Sequence, residues 1–126
     1  MNPLERLVST TGRLAEALVD ADPAAPVPSC PGWTVRDLAT HVGTVHRWAA
    51  AIVLGGQQVA EPEPVVTEPL EQWYAGCAVA LVAALQAVEP TEATPNFSRL
   101  DETAAFWPRR QLHETTIHLV DVLQAR

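Results

Sequence analysis

Proline placement sets the limits on what this chain can fold into. Pro23, Pro26, Pro28 and Pro31 crowd one short stretch, and Pro62, Pro64, Pro69, Pro90 and Pro95 interrupt the chain again. Proline has no backbone N–H, and its ring clashes with the preceding helical turn. Neither a helix interior nor a central strand passes through such positions. Between the breaks, apolar residues recur at three- and four-residue steps, which is the period of a helix and not of a strand.

Four helical segments result. Asn2-Pro3-Leu4-Glu5 reads as a helix start: Asn2 caps, Pro3 fits the first turn and Glu5 completes a capping box. Leu4, Leu7, Thr11, Leu14 and Leu18 then mark a core face up to about Asp20. Pro31-Gly32 is a turn signal, and Thr34-Val35-Arg36-Asp37 is a second capping box. The second helix turns Leu38, Val42, Val45, Ala49 and Ile52 inward and stops at Gly55-Gly56. Residues 57–66 are a linker. Thr67 is the expected cap of a third helix with Pro69 in its first turn and a stripe of Leu70, Trp73, Cys77, Ala80, Leu81, Ala84 and Val88. Residues 91–102 read as loop. The fourth helix spans about 107–125 with Pro108 in its first turn. Little Gly and few aromatics argue against a sandwich or barrel. The expected fold is all-α, a four-helix bundle forming a single domain over 1–126.

The charge balance narrows the function. Lys and Arg total 8 against 15 Asp and Glu, for a net charge of −7. A field of that sign repels phosphate backbones, and Arg109-Arg110 is too short for a basic patch, so nucleic acid is excluded as a partner. No apolar run approaches the roughly 20 residues that span a bilayer. Cys30 and Cys77 form no CxxC pattern, and Cys77 on its apolar stripe reads as a buried thiol. With no signal peptide in view, the expected location is the cytoplasm.

The histidines carry the chemistry. Glu114 and His118 are four apart and share one helical face, so both side chains close on one point. His113 and His118 are five apart and diverge by about 140°. The pattern His113-Glu114 followed by His118 therefore fails the zincin geometry, and a metalloprotease is disfavoured. His41 lies beside the inward stripe of the second helix, where it can meet the Glu114/His118 pair from a facing helix. Two imidazoles and one carboxylate with an open fourth position match a catalytic zinc site. Spacing alone leaves a second reading open: a Glu114–His118 helical pair with an unrelated core histidine.

Two blocks of sequence add to this. Cys30-Pro31-Gly32-Trp33-Thr34-Val35, continuing through Asp37, Leu38 and His41, resembles the first signature of the mycothiol-dependent maleylpyruvate isomerase family. Arg109-Arg110 followed by His113-Glu114, His118 and Asp121 resembles its second. The resemblance implies a DinB-like bundle, and a zinc-type site at His41, Glu114 and His118. It further implies mycothiol, a small actinobacterial thiol, as cosubstrate. A metal-bound thiol loses its proton at neutral pH, and the thiolate would add to and isomerise a cis double bond, or be transferred. The isomerases of this family carry a second, C-terminal domain, which the 126 residues do not include.

The expected function is thus a metal-dependent, mycothiol-using isomerase or S-transferase acting on a small anionic substrate. The alternative is a non-catalytic metal-binding or interaction module, which the missing second domain favours and which is open to homodimerisation. Arg109 and Arg110 are the candidate anion-binding residues. Trp33 is expected to pack its turn on the bundle, and Trp48, Trp73 and Trp107 to anchor the core. Thr34 and Asp37 are expected caps, with a hydrogen bond from Asp37 to His41 as the lesser reading. Asp121 is a candidate partner for the His118 ring. His46 and His113 are placed off the site, in polar core or at the surface. Ser9 and Ser29 have no base at a motif spacing.

Overall fold

The computed structural model describes residues 1–96 and 102–125. Helices α1 (Pro3–Val19), α2 (Val35–Gly55), α3 (Leu70–Ala87) and α4 (Phe106–Gln124) pack as a bundle. Helix α2 lies against α3 and α4, and α1 lies against the same two. Consecutive helices α1 and α2 therefore stand across the bundle from each other, as do α3 and α4. That arrangement needs long connections at one end, which the proline-rich stretches supply.

Caps explain three of the boundaries. Asn2 Oδ1 accepts from Glu5 N at 2.9 Å with Pro3 opening α1. Thr34 and Asp37 form the reciprocal capping box of α2. Gly56 closes α2 at φ +65°, a left-handed conformation that costs glycine nothing. The expected cap at Thr67 is not used. Pro69 occupies the N-cap position with no side-chain cap bond, and α3 starts at Leu70. The fixed φ of the proline ring sets the entry where a hydroxyl was expected.

Leu7, Leu38, Val42, Ile52 and Leu81 are fully buried with Trp107 and Tyr74. Each such side chain stabilises the fold by roughly 1.5–3 kcal/mol. The buried stripe of α3 is rotated from the expected one. Tyr74, Ala78 and Leu85 are buried, while Trp73, Ala80 and Val88 are half-buried. Helix α3 is apolar nearly all round, so periodicity does not single out one face. Packing against both α1 and α2 selects it instead. At the α2–α3 contact a Cβ on Gly43 would lie 2.6 Å from the Trp73 ring, so the glycine leaves the room in which that ring packs on α2.

The connection from α1 to α2 folds back on the start of α2. Val27 N donates to Trp33 O at 2.9 Å, Val35 N to Ala25 O at 2.9 Å and Arg36 N to Pro23 O at 2.9 Å. This holds Ser29, Cys30 and Trp33 over the α2–α4 seam. In the stretch expected as loop, Ala93 bridges Thr103 and no strand forms among the described residues; 97–101 lie outside them. None of the described helices is long and apolar enough to cross a membrane.

Candidate metal centre

The α2–α4 seam brings His41, Glu114 and His118 together. His41 Nε2 lies 2.8 Å from Glu114 Oε1, and His118 Nε2 lies 3.3 Å from the same oxygen. The three donor atoms lie within 4.8 Å of one another. A tetrahedral ion with ligands at about 2.0–2.1 Å spaces nitrogen and oxygen donors about 3.3 Å apart. The two edges to Glu114, 2.8 and 3.3 Å, lie within about half an ångström of that, so the carboxylate and each imidazole are spaced for a divalent cation. The Glu114 and His118 side chains are 15% and 14% exposed but that of His41 is 36% exposed, so the cluster opens outward along His41.

Neighbouring side chains fix the ligands. His118 Nδ1 faces Asp121 Oδ2 at 3.0 Å. With Nδ1–H donating to that carboxylate, the lone pair of Nε2 points to the cluster. Ser29 Oγ donates to Asp121 Oδ1 at 2.6 Å, and Cys30 Sγ lies 3.7 Å from Asp121 Oδ2. The Trp33 ring stands edge-on to His41, with centroids 5.3 Å apart. Asp37 is taken up by the capping box and does not serve His41.

The electrostatics follow from this crowding. Hydrogen bonds from His118 and His41 hold the Glu114 carboxyl well below the usual carboxylate range, against the opposing effect of burial. Burial pulls the His118 imidazole down, but Glu114 and Asp121 together outweigh it and raise it above its ordinary value. Glu114 is therefore ionised at any physiological pH. Burial, reinforced by the Asp121 charge, pushes the Cys30 thiol up.

The remaining candidates are distributed around this centre. Arg110 Nη2 lies 3.9 Å from Glu114 Oε2 at the outer edge. Arg109 is exposed and lines a surface hollow with Phe106, Arg110 and His113. His113 points away from the cluster, as its spacing requires. His46 is fully buried, with Nδ1 2.9 Å from Gln111 Oε1 and Nε2 3.0 Å from Tyr74 Oη. The contacts of Ser29 and Cys30 leave no signal in the sequence, because Asp121 lies about 90 residues along the chain and no local pattern links them.

A helical bundle presenting two imidazoles and a carboxylate from facing helices belongs to the class of metal-binding four-helix domains. The family model of the mycothiol maleylpyruvate isomerase N-terminal domain matches residues 4–123, nearly the whole chain. The chain belongs to this DinB-like, metal-binding domain family. No curated protein and no solved structure matches it significantly.

Proposed function

We propose that the chain is the metal-bearing domain of a thiol-using isomerase or S-transferase, with zinc as the resident ion and mycothiol as the thiol. The observation that carries this reading is the His41/Glu114/His118 group, half-buried on two sides and open on the third. Bound there, a divalent cation supplies a Lewis acid that lowers the pKa of a coordinated thiol toward neutrality.

The chain's own residues do the rest. Glu114 stays ionised and neutralises part of the cation's charge. Asp121 holds the His118 tautomer, and Ser29 holds Asp121. Trp33 and the α1–α2 connection wall off one side, leaving entry along His41. Arg110, beside Glu114 at the outer edge, carries fixed positive charge and suits an anionic group on the substrate, whereas Arg109 lines a surface hollow with His113.

Calorimetric titration of mycothiol into zinc-loaded protein tests the reading. The expected result is saturable binding with release of about one proton, absent from the metal-stripped chain and weakened by Arg110→Ala. Equal binding with and without metal, or none in either state, would overturn it.

A further inference from the structure

His118 carries a carboxylate at each ring nitrogen. Nε2 faces Glu114 Oε1 at 3.3 Å, and Nδ1 faces Asp121 Oδ2 at 3.0 Å. On the Asp121 side stands a third donor, Cys30 Sγ, 3.7 Å from Asp121 Oδ2. The donor atoms of Cys30, His118 and Asp121 lie within 4.8 Å of one another. We infer that these three residues form a second metal position, selective for thiophilic ions, that shares the His118 ring with the first.

The distances suit an ion. A tetrahedral cation with sulfur at about 2.3 Å and oxygen at about 2.0 Å separates those donors by about 3.5 Å, and separates oxygen from nitrogen by about 3.3 Å. Ser29 occupies Asp121 Oδ1 and leaves Oδ2 for the shared point. Asp121 is buried and Cys30, on the α1–α2 connection, is half-buried, so this position on the Nδ1 side of His118 is the more enclosed, inner one. A thiolate, an imidazole and one carboxylate rank soft and borderline ions above Mg²⁺ or Ca²⁺.

The shared ring makes the two positions alternatives. With an ion on Nε2, Nδ1–H donates to Asp121. With an ion on Nδ1, the ring proton moves to Nε2 and donates to Glu114. Each tautomer already has its acceptor in place, so the exchange needs no new partner. Binding at the inner position releases the Cys30 thiol proton to solvent, together with any second proton on the His118 ring. Occupation of the inner position strips the outer one of a ligand, so a thiophilic ion would switch the outer site off.

Cobalt(II) alone is the probe, because a thiolate ligand adds a sulfur-to-cobalt charge-transfer band in the near ultraviolet that nitrogen and oxygen ligands do not. Titration of the full chain is expected to give this band from the first additions in His41→Ala, where the outer position is crippled. In wild type, where the outer position competes for the same ring, the band per bound cobalt should be weaker at every addition. It should be lost in Cys30→Ser, alone and combined with His41→Ala. Circular dichroism confirms that each variant is folded. Cobalt bound to folded His41→Ala without the band, no binding to it at all, or a band that survives Cys30→Ser would each overturn the inference. Failure of the outer site shows separately, as a folded Cys30→Ser chain that takes up no cobalt.

Discussion

Helices α2 and α4 together hold two histidine sites whose neighbours differ in kind. At one end of the seam, His41 and His118 meet the carboxylates of Glu114 and Asp121, with a side open to water. Deeper in, His46 meets only neutral groups, the Gln111 amide and the Tyr74 hydroxyl, and has no exposed surface. Charged partners and an opening make imidazoles that can trade a proton for a metal. Neutral partners and burial make an imidazole that is held in one state. Gln111 Oε1 accepts from Nδ1–H, so Tyr74 O–H donates to Nε2, and the ring's one proton and one lone pair are both used. Burial pushes the His46 pKa down to about 4. The comparison teaches that the environment, and not the residue type or the helix, separates ligand from structural pin.

The largest effect expected from the buried side is on stability. His46→Ala removes a fully buried ring and orphans both Gln111 and Tyr74, which costs about 3 kcal/mol in urea unfolding. On chains that remain folded, metal affinity should stay within a few-fold of wild type. A collapse of metal binding equal to that of a ligand substitution would break the distinction between the two sites.

The same residue predicts an acid limb. The folded chain keeps His46 neutral down to about 4, whereas the unfolded chain protonates it near 6.5. The unfolded state binds more protons in that window, so stability falls as pH drops through it. The contribution is complete above 6.5 and lost as pH approaches 4, about 3 kcal/mol in all. Chemical denaturation of metal-free protein at pH 7.5, 5.5 and 4.5 measures the slope, which should be shallower in His46→Leu.

On the metal side, Asp121→Asn keeps the shape but removes the charge that raises and orients His118. Metal affinity should fall about 10- to 100-fold with little change in urea midpoint. A competition titration with a chromophoric chelator reads this directly, and an unchanged affinity would remove Asp121 from the account. The smallest effect is expected for Tyr74→Phe. It leaves His46 Nε2 without its donor and costs about 1–2 kcal/mol of stability, with metal affinity unaltered.

Much of the frame was readable in the sequence because its signals are local. The caps at Asn2, Thr34 and Gly56 and the helix breaks at the prolines act within a few residues, and they fall where expected. The pairing of Glu114 with His118 follows from helix geometry, whereas spacing leaves its meeting with His41 open and only the family resemblance implies it. What escaped depends on packing between distant segments. The buried Tyr74 of α3 follows from how α1 and α2 clasp an apolar helix. The burial of His46 required knowing that Tyr74 and Gln111 stand opposite it. Ser29 and Cys30 reach Asp121 only through the fold-back of the α1–α2 connection.

Metal content per chain, determined by inductively coupled plasma mass spectrometry on protein reconstituted with zinc and dialysed, tests the central claim most directly. The account predicts about one tightly held ion in wild type and in Tyr74→Phe, and none retained in His118→Ala. Equal metal in wild type and His118→Ala, or none in either, would contradict it.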